Sequence, residues 1–170
     1  MGLKKATIID GKEFSSRTNQ SLLPNVKLIV EKIGRPPALA VILVGEDTAS
    51  HVYVRNKVKQ TKDAGMVSIE HQLSAETSEK TLLSLIDTLN KDDQIDGILV
   101  QLPLPKHINE NSVIQTINPE KDVDGFHVIN AGKLATGQKG LVPCTPLGCL
   151  LLMQNTIGDL SGLHAVIVGR

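Results

Sequence analysis

An α/β fold built on a largely parallel sheet is predicted by three observations. Helical and strand-like segments alternate along the chain, the strand-like ones are short apolar runs, and turn residues separate them. Residues 12–33 set Phe14, Leu22, Leu23, Val26, Ile29, Val30 and Ile33 at a roughly helical period. Pro24 interrupts this segment and predicts a kink or break. Gly34-Arg35-Pro36-Pro37 stops it. Ala38 to Val44 is a continuous apolar run, as expected of a strand buried on both faces. Asp47 or Thr48 is a suitable N-cap for a helix to about Ala64, with Gly65 as its stop. Val67 to Leu73 forms a weaker strand pattern. Ser78 opens a helix with Leu82, Leu83, Leu85, Ile86 and Leu89 on its apolar side. Asp96 to Val100 is a third strand, and Pro103 and Pro105 prevent its continuation. Asn109 to Ile117 reads as a short helix, and 118–145 as a long polar loop of the kind that carries function. A Leu-rich helix is expected from Pro146 to about Ile157, and a last strand from Ala165 to Val168.

A chain of 170 residues holds one domain, or one and part of another. Hydrophobic residues at 41% and charged residues at 21% are ordinary globular usage, which argues against disorder. Eighteen basic residues balance eighteen acidic ones, so a phosphate-backbone binder has no electrostatic footprint here. With aromatics at 2% the core must be aliphatic, and no stacking platform for successive bases can be built. No nucleic-acid partner is expected. No apolar run approaches a membrane span, and the start MGLKKATIID lacks the apolar core of a signal peptide. Cys144 and Cys149 lie five apart, which fits neither a zinc site nor a Cys-x-x-Cys redox pair. Reduced cysteines in a cytoplasmic protein follow. The five histidines have no metal spacing, and an EF-hand register from Asp122 fails at His127 and Lys133. No metal is expected.

Parallel sheets bind ligands at the carboxyl ends of their strands. Three segments sit at such ends: Gly45 to Ser50, Gln101 to Pro105, and Gly169-Arg170. A parallel strand followed at once by the end of the chain would normally feed a helix, so the sequence is expected to be truncated within a second α/β unit. Tyr53 and Lys57, four apart on one helix, share a face. A lysine beside a phenol in a cleft is a candidate general acid or base. On spacing alone the pair reads first as a plain helix surface, and the glycine-rich turn that a short-chain dehydrogenase needs is missing. The Gln101 amide can donate and accept, which suits holding an amine or a heterocycle. In Lys121-Asp122-Val123-Asp124-Gly125-Phe126, a lone Asp-x-Asp is weak evidence for magnesium. A carboxylate such as Asp124 can instead grip an amidine-like edge through paired hydrogen bonds, with Gly125 allowing close approach.

Four segments in order resemble the bifunctional methylenetetrahydrofolate dehydrogenase / methenyltetrahydrofolate cyclohydrolase family. They are Val44 to Lys57 (VGEDTASHVYVRNK), Asp96 to Pro105 (DGILVQLPLP), Pro119 to Phe126 (PEKDVDGF) and Pro143 to Gly148 (PCTPLG). The ending Ala165-Val166-Ile167-Val168-Gly169-Arg170 is similar to the strand that opens that family's NADP-binding turn. The resemblance implies a three-layer α/β/α domain, amino-acid-dehydrogenase-like, with a mainly parallel sheet and followed by the first strand of a Rossmann-type domain. It implies a folate-binding catalytic domain over 1–145 and, over 146–170, a linking helix and the start of an NADP-binding domain. It implies Lys57 as the acid/base residue of the cyclohydrolase step, Gln101 bonded to it, Tyr53 stacked on the folate, and Asp124 on the pterin edge. Ser50, Val54, Arg55, Asn56, Val100 and Leu102 would complete the substrate-binding set, with Gly169 and Arg170 beginning the NADP site. A homodimer is implied for the complete protein, whereas this chain alone could be monomeric and is expected not to run the dehydrogenase step. Two other readings remain: a monofunctional dehydrogenase relative, and a non-catalytic folate-binding remnant.

Overall fold

The apolar run Ala38–Val44 forms β1, the central strand of a three-stranded parallel sheet ordered β2-β1-β3. Its neighbours are β2 (Val67–Leu73) and β3 (Gly97–Val100). In this computed structural model residues 8–169 are described. The helices are α1 (Gly11–Ile33), α2 (Thr48–Asp63), α3 (Glu79–Lys91), α4 (Glu110–Thr116), α5 (Val128–Ala135) and α6 (Cys144–Ile157).

Strand alternation divides the core in two. Ala38, Ala40, Ile42 and Val44 of β1, with Ile98 and Val100 of β3, pack against Leu82, Ile86 and Leu89 of α3 and Val113 of α4. Val41, Leu43 and Leu99 point the other way, onto Val54 and Val58 of α2. Helices therefore cover both faces of the sheet, which gives the expected three layers. β2 lies at the sheet edge and is far more exposed than β1, which explains its weaker apolar pattern.

Helix starts are set by side-chain caps. Asp10, Asp47, Ser78 and Asn109 each accept the backbone N–H three residues on, opening α1, α2, α3 and α4. Gly34 ends α1 with φ +78°, where a side chain would be strained. Below it, Arg35 donates to both carboxylate oxygens of Asp96, at 2.7 and 3.0 Å, and to the Asp93 carbonyl at 2.6 Å. The Ala38 N–H donates to the same carboxylate at 2.8 Å, so the entries of β1 and β3 are tied together.

Three expectations need correction. α1 runs unbroken through Pro24. Pro24 and Gln20 are both exposed, so the carbonyl that loses its N–H partner turns to water. The segment 118–145 is not one loop, because it contains α5. Eight residues including Asn130 and Gly132 carry too little period to announce a helix, and tertiary contacts hold it instead. Residues 165–168 form no strand, since no described strand pairs with them, and Val168 is 95% exposed. Among the described residues, no helix is long and apolar enough to cross a membrane.

The Arg35 guanidinium holds the Asp96 carboxyl below the usual carboxylate range. A carboxyl so depressed contributes stability above its unfolded pKa, near 4, and loses it as pH falls through the lower folded value. Asp96→Asn is expected to destabilise the chain at pH 7, with the gap to wild type closing below about pH 4. Urea unfolding at both pH values checks this, and a gap independent of pH would contradict it.

Candidate functional site

At the carboxyl end of β3 the alternation that sends Leu99 onto α2 continues through Gln101. Its backbone N–H still bonds to β1, at the Ile42 carbonyl, 2.9 Å away. Its side chain therefore rises on the α2 face, where its Oε1 accepts from Lys57 Nζ at 3.2 Å. The other half of the amide donates from Nε2 to the Leu102 carbonyl at 2.6 Å. That second bond fixes which way the amide faces, because only the oxygen is then free for the lysine. Lys57 itself is half-buried on α2.

Asp124 reaches the same place from a different segment. Lys121 and Asp122 lie alongside β3: the Ile98 N–H donates to the Lys121 carbonyl at 2.7 Å, and Ile98 and Asp122 form a parallel bridge. Lys121 Nζ donates to the Leu89 and Asp92 carbonyls, at 3.0 and 2.8 Å, capping the end of α3. Gly97 makes this approach possible, because a Cβ there would stand 2.5 Å from Val123. Gly125 then turns the chain at φ +66°, with the backbone of Leu141 to Pro143 so close that a Cβ would meet it at 2.9 Å.

Burial raises the Asp124 pKa above the usual aspartate value, the nearby Lys57 charge opposes this, and Asp122 adds to it. Cys144, at the start of α6, is an exposed residue whose thiol borders the cavity and donates to the Val123 carbonyl at 3.3 Å. Partial burial of this thiol, with Asp124 beside it, raises its pKa, so it stays protonated. Lys57, Asp124 and Cys144 sit together at one end of a cavity of about 460 Å³. Leu22, Leu39, Thr61, Met66, Leu99 and Val123 line the rest, so a small polar end opens onto an apolar wall.

The other expected site residues are distributed as follows. Tyr53 stands 62% exposed on α2, one turn before Lys57. Ser50 is buried, and its N–H donates to Asp47 at 2.7 Å, so it supports the first turn of α2. Val54 packs into the core between α2 and the sheet. With Arg55 it borders a separate recess of about 210 Å³ next to β2. Asn56 is exposed. The Val100 and Leu102 side chains pack on the α3 face, opposite Lys57. Gly169 has φ +127° and open space around it, and Arg170 lies outside the described residues. Among the described residues no group of three or more His, Cys, Asp or Glu side chains is placed to hold a metal ion.

Sequence reasoning missed the cavity-bordering thiol of Cys144 and the buried polar cluster of Asp122, His127 and Asn130. The Pro-Cys-Thr-Pro motif marked the first, whereas nothing in spacing links Asp122 to a residue eight positions on.

A family model described as "Tetrahydrofolate dehydrogenase/cyclohydrolase, catalytic domain" matches residues 9–124. A curated relative from Rhizorhabdus wittichii, "Bifunctional protein FolD 3", is 58% identical over 170 residues, which is all of this chain and 56% of the relative. One from Paracoccus denitrificans, "Bifunctional protein FolD 2", is 58% identical over 164 residues, 96% of this chain and 54% of the relative. The chain spans about half the length of the curated relatives it matches. Among solved structures, the bifunctional FolD enzyme of Campylobacter jejuni superposes with a TM-score of 0.88 at 43% identity, covering 92% of this chain and 55% of that one. The Trypanosoma brucei dehydrogenase-cyclohydrolase, solved with NADP cofactor and an inhibitor, gives 0.86 at 30% identity, covering 91% and 53%.

Two outcomes follow from the geometry. A carboxyl whose folded pKa is raised favours folding below its unfolded pKa and loses that contribution as pH rises through the folded value. Asp124→Asn should therefore stabilise the fold at pH 7 and bring no gain below about pH 4, as measured by urea unfolding. Gly125→Ala should cost at least about 1–2 kcal/mol, from the left-handed backbone alone, in the same assay.

Proposed function

The chain belongs to the tetrahydrofolate dehydrogenase/cyclohydrolase family, and on that premise we propose that it carries the folate-handling site of a bifunctional one-carbon enzyme. Such an enzyme oxidises 5,10-methylenetetrahydrofolate with NADP and hydrolyses the 5,10-methenyl product to 10-formyltetrahydrofolate. The observation that supports this best is the convergence of Lys57, Gln101 and Asp124 from three separated segments at the carboxyl end of β3.

Hydrolysis needs water activated beside a cationic carbon. An unprotonated Lys57 amine would take the proton as the water oxygen bonds to that carbon, and would return it to the ring nitrogen that leaves. Gln101 holds the amine in place through Oε1 and is itself held by the Leu102 carbonyl. Asp124 would bind the donor-rich edge of the pterin, where two parallel N–H groups suit a carboxylate. A ligand supplying such donors restores to the half-buried Asp124 the partners that its burial removes. Exposed Tyr53 would stack on the flat part of the substrate between pterin and solvent. The oxidation step draws on a nicotinamide that accepts hydride. Support for that step comes from a relative, the Trypanosoma brucei enzyme solved with NADP cofactor.

Retention of Lys57 with its Gln101 partner favours the bifunctional reading over a monofunctional dehydrogenase. Lys57→Met in the full-length protein is expected to lower cyclohydrolase turnover by about 10²-fold or more. Asp124→Ala is expected to weaken tetrahydrofolate binding. Near-normal hydrolysis of methenyltetrahydrofolate by the first variant, with unchanged affinity in the second, would reject the reading.

A further inference from the structure

We propose that Asp122 is a positioning residue of this site: its buried carboxylate fixes the chain path that delivers Asp124 to Lys57. The proposal rests on the folate reading of Asp124, because it assigns Asp122 no contact with substrate.

Asp122 is 2% exposed, an unusual place for a carboxylate. One oxygen, Oδ2, accepts the His127 N–H at 2.9 Å and Asn130 Nδ2 at 3.0 Å. Asn130, 1% exposed, also donates to the Pro119 carbonyl at 2.8 Å. Asn130 thus ties the two ends of the segment 119–130 to each other, and the Asp122 carboxylate holds Asn130 and His127 in place. Asp122 also pairs through its backbone with β3 and closes a turn, its carbonyl accepting the Gly125 N–H at 3.1 Å. Asp124 sits inside that turn. Its own backbone is fixed by these neighbours, while its carboxyl is left to the cavity.

Two features make this more than scaffolding. A buried carboxylate costs several kcal/mol unless it is well bonded, so a plain structural role would be met at lower cost by an apolar residue. The charge also lies close enough to Asp124 to raise its pKa, so the positioning residue and the binding residue are electrostatically coupled. Asp124 is faced by Lys57 from α2, Cys144 from α6 and Asp122 from its own loop.

The test is a double-mutant cycle in the full-length protein, read by calorimetric titration with tetrahydrofolate. Asp122→Ala should weaken binding about tenfold, a coupling in the usual range for residues of one network. Asp122→Asn, whose amide oxygen still accepts, should lose less. Neither should cost affinity in an Asp124→Ala background, because Asp122 acts through Asp124. An equal loss in both backgrounds overturns the proposal, and so does no loss in either where Asp124→Ala itself weakens binding. A second readout needs no folate: the pH titration of the Asp124 carboxyl carbon by NMR. Asn130→Ala keeps the Asp122 charge and removes one of its donors, and it carries the test if Asp122→Ala fails to fold. With the loop loosened, Asp124 should titrate at lower pH, nearer an ordinary aspartate; an unmoved midpoint overturns the proposal. If Asp124→Ala leaves affinity unchanged while the midpoint moves, the folate reading fails and the positioning role stands.

Discussion

The site depends on one close approach of backbone to backbone. Lys121 and Asp122 lie against β3 as a short extra rung, and the bare Cα of Gly97 leaves the space that the Val123 side chain fills beside it. Everything polar is arranged around this contact. Gln101 leaves β3 on the α2 face, the rung delivers Asp124 to the same face, and α2 presents Lys57 between them. Remove the approach and the three groups belong to unrelated parts of the molecule. The core does not supply this specificity. Its two aliphatic clusters hold α2 and α3 to the sheet, whereas the polar contacts select one path for the loop beyond it.

Lys121-Asp122-Val123-Asp124-Gly125 shows how five consecutive residues divide this work. The Lys121 ammonium caps the carbonyls at the end of α3. Asp122 accepts the His127 N–H and the Asn130 side-chain amide. Val123 fills the space above Gly97 and packs on the α2 face. Asp124 keeps its carboxyl for the cavity, and Gly125 bends the chain where only a bare Cα fits. Two acidic residues two positions apart thus have opposite assignments, one satisfied inside the protein and one left with too few partners. An under-satisfied, half-buried carboxyl is a cost to the fold, and such costs concentrate where a ligand removes them.

Much of this was legible in the residues before any coordinates. Apolar runs marked β1 and β3, the bounds of β2 are those of its pattern, Ser78 opens the helix it announced, and of the two caps offered for α2, Asp47 and Thr48, it is Asp47 that caps. Lys57 stood out because it shares a helix face with Tyr53, and Gln101 because it follows a strand end. What stayed hidden has a common cause: long-range partners override local signals. α5 has weak propensity and exists because Asn130 is bonded to Asp122 and Pro119. The apolar residues Ala165 to Val168 read as a strand from their side chains alone, yet a strand is a pairing, and they have no partner among the described residues. Pro24 should break a helix in isolation, but at an exposed position water takes the missing bond. The role of Asp122 is invisible to spacing, because burial is what separates it from Asp124.

The rarity of aromatic residues, met first as a bound on the core, gives the molecule an unusual optical property. The chain contains no tryptophan and one tyrosine, and that tyrosine is Tyr53 on the exposed face of α2. Tyrosine emission therefore comes from a single ring one helical turn from Lys57, and that ring dominates the near-ultraviolet dichroism. Whatever stacks on that ring changes the signal, and little else in the chain contributes to it. On the proposed reading, in which the substrate stacks on Tyr53, that single ring would report on occupancy without a label.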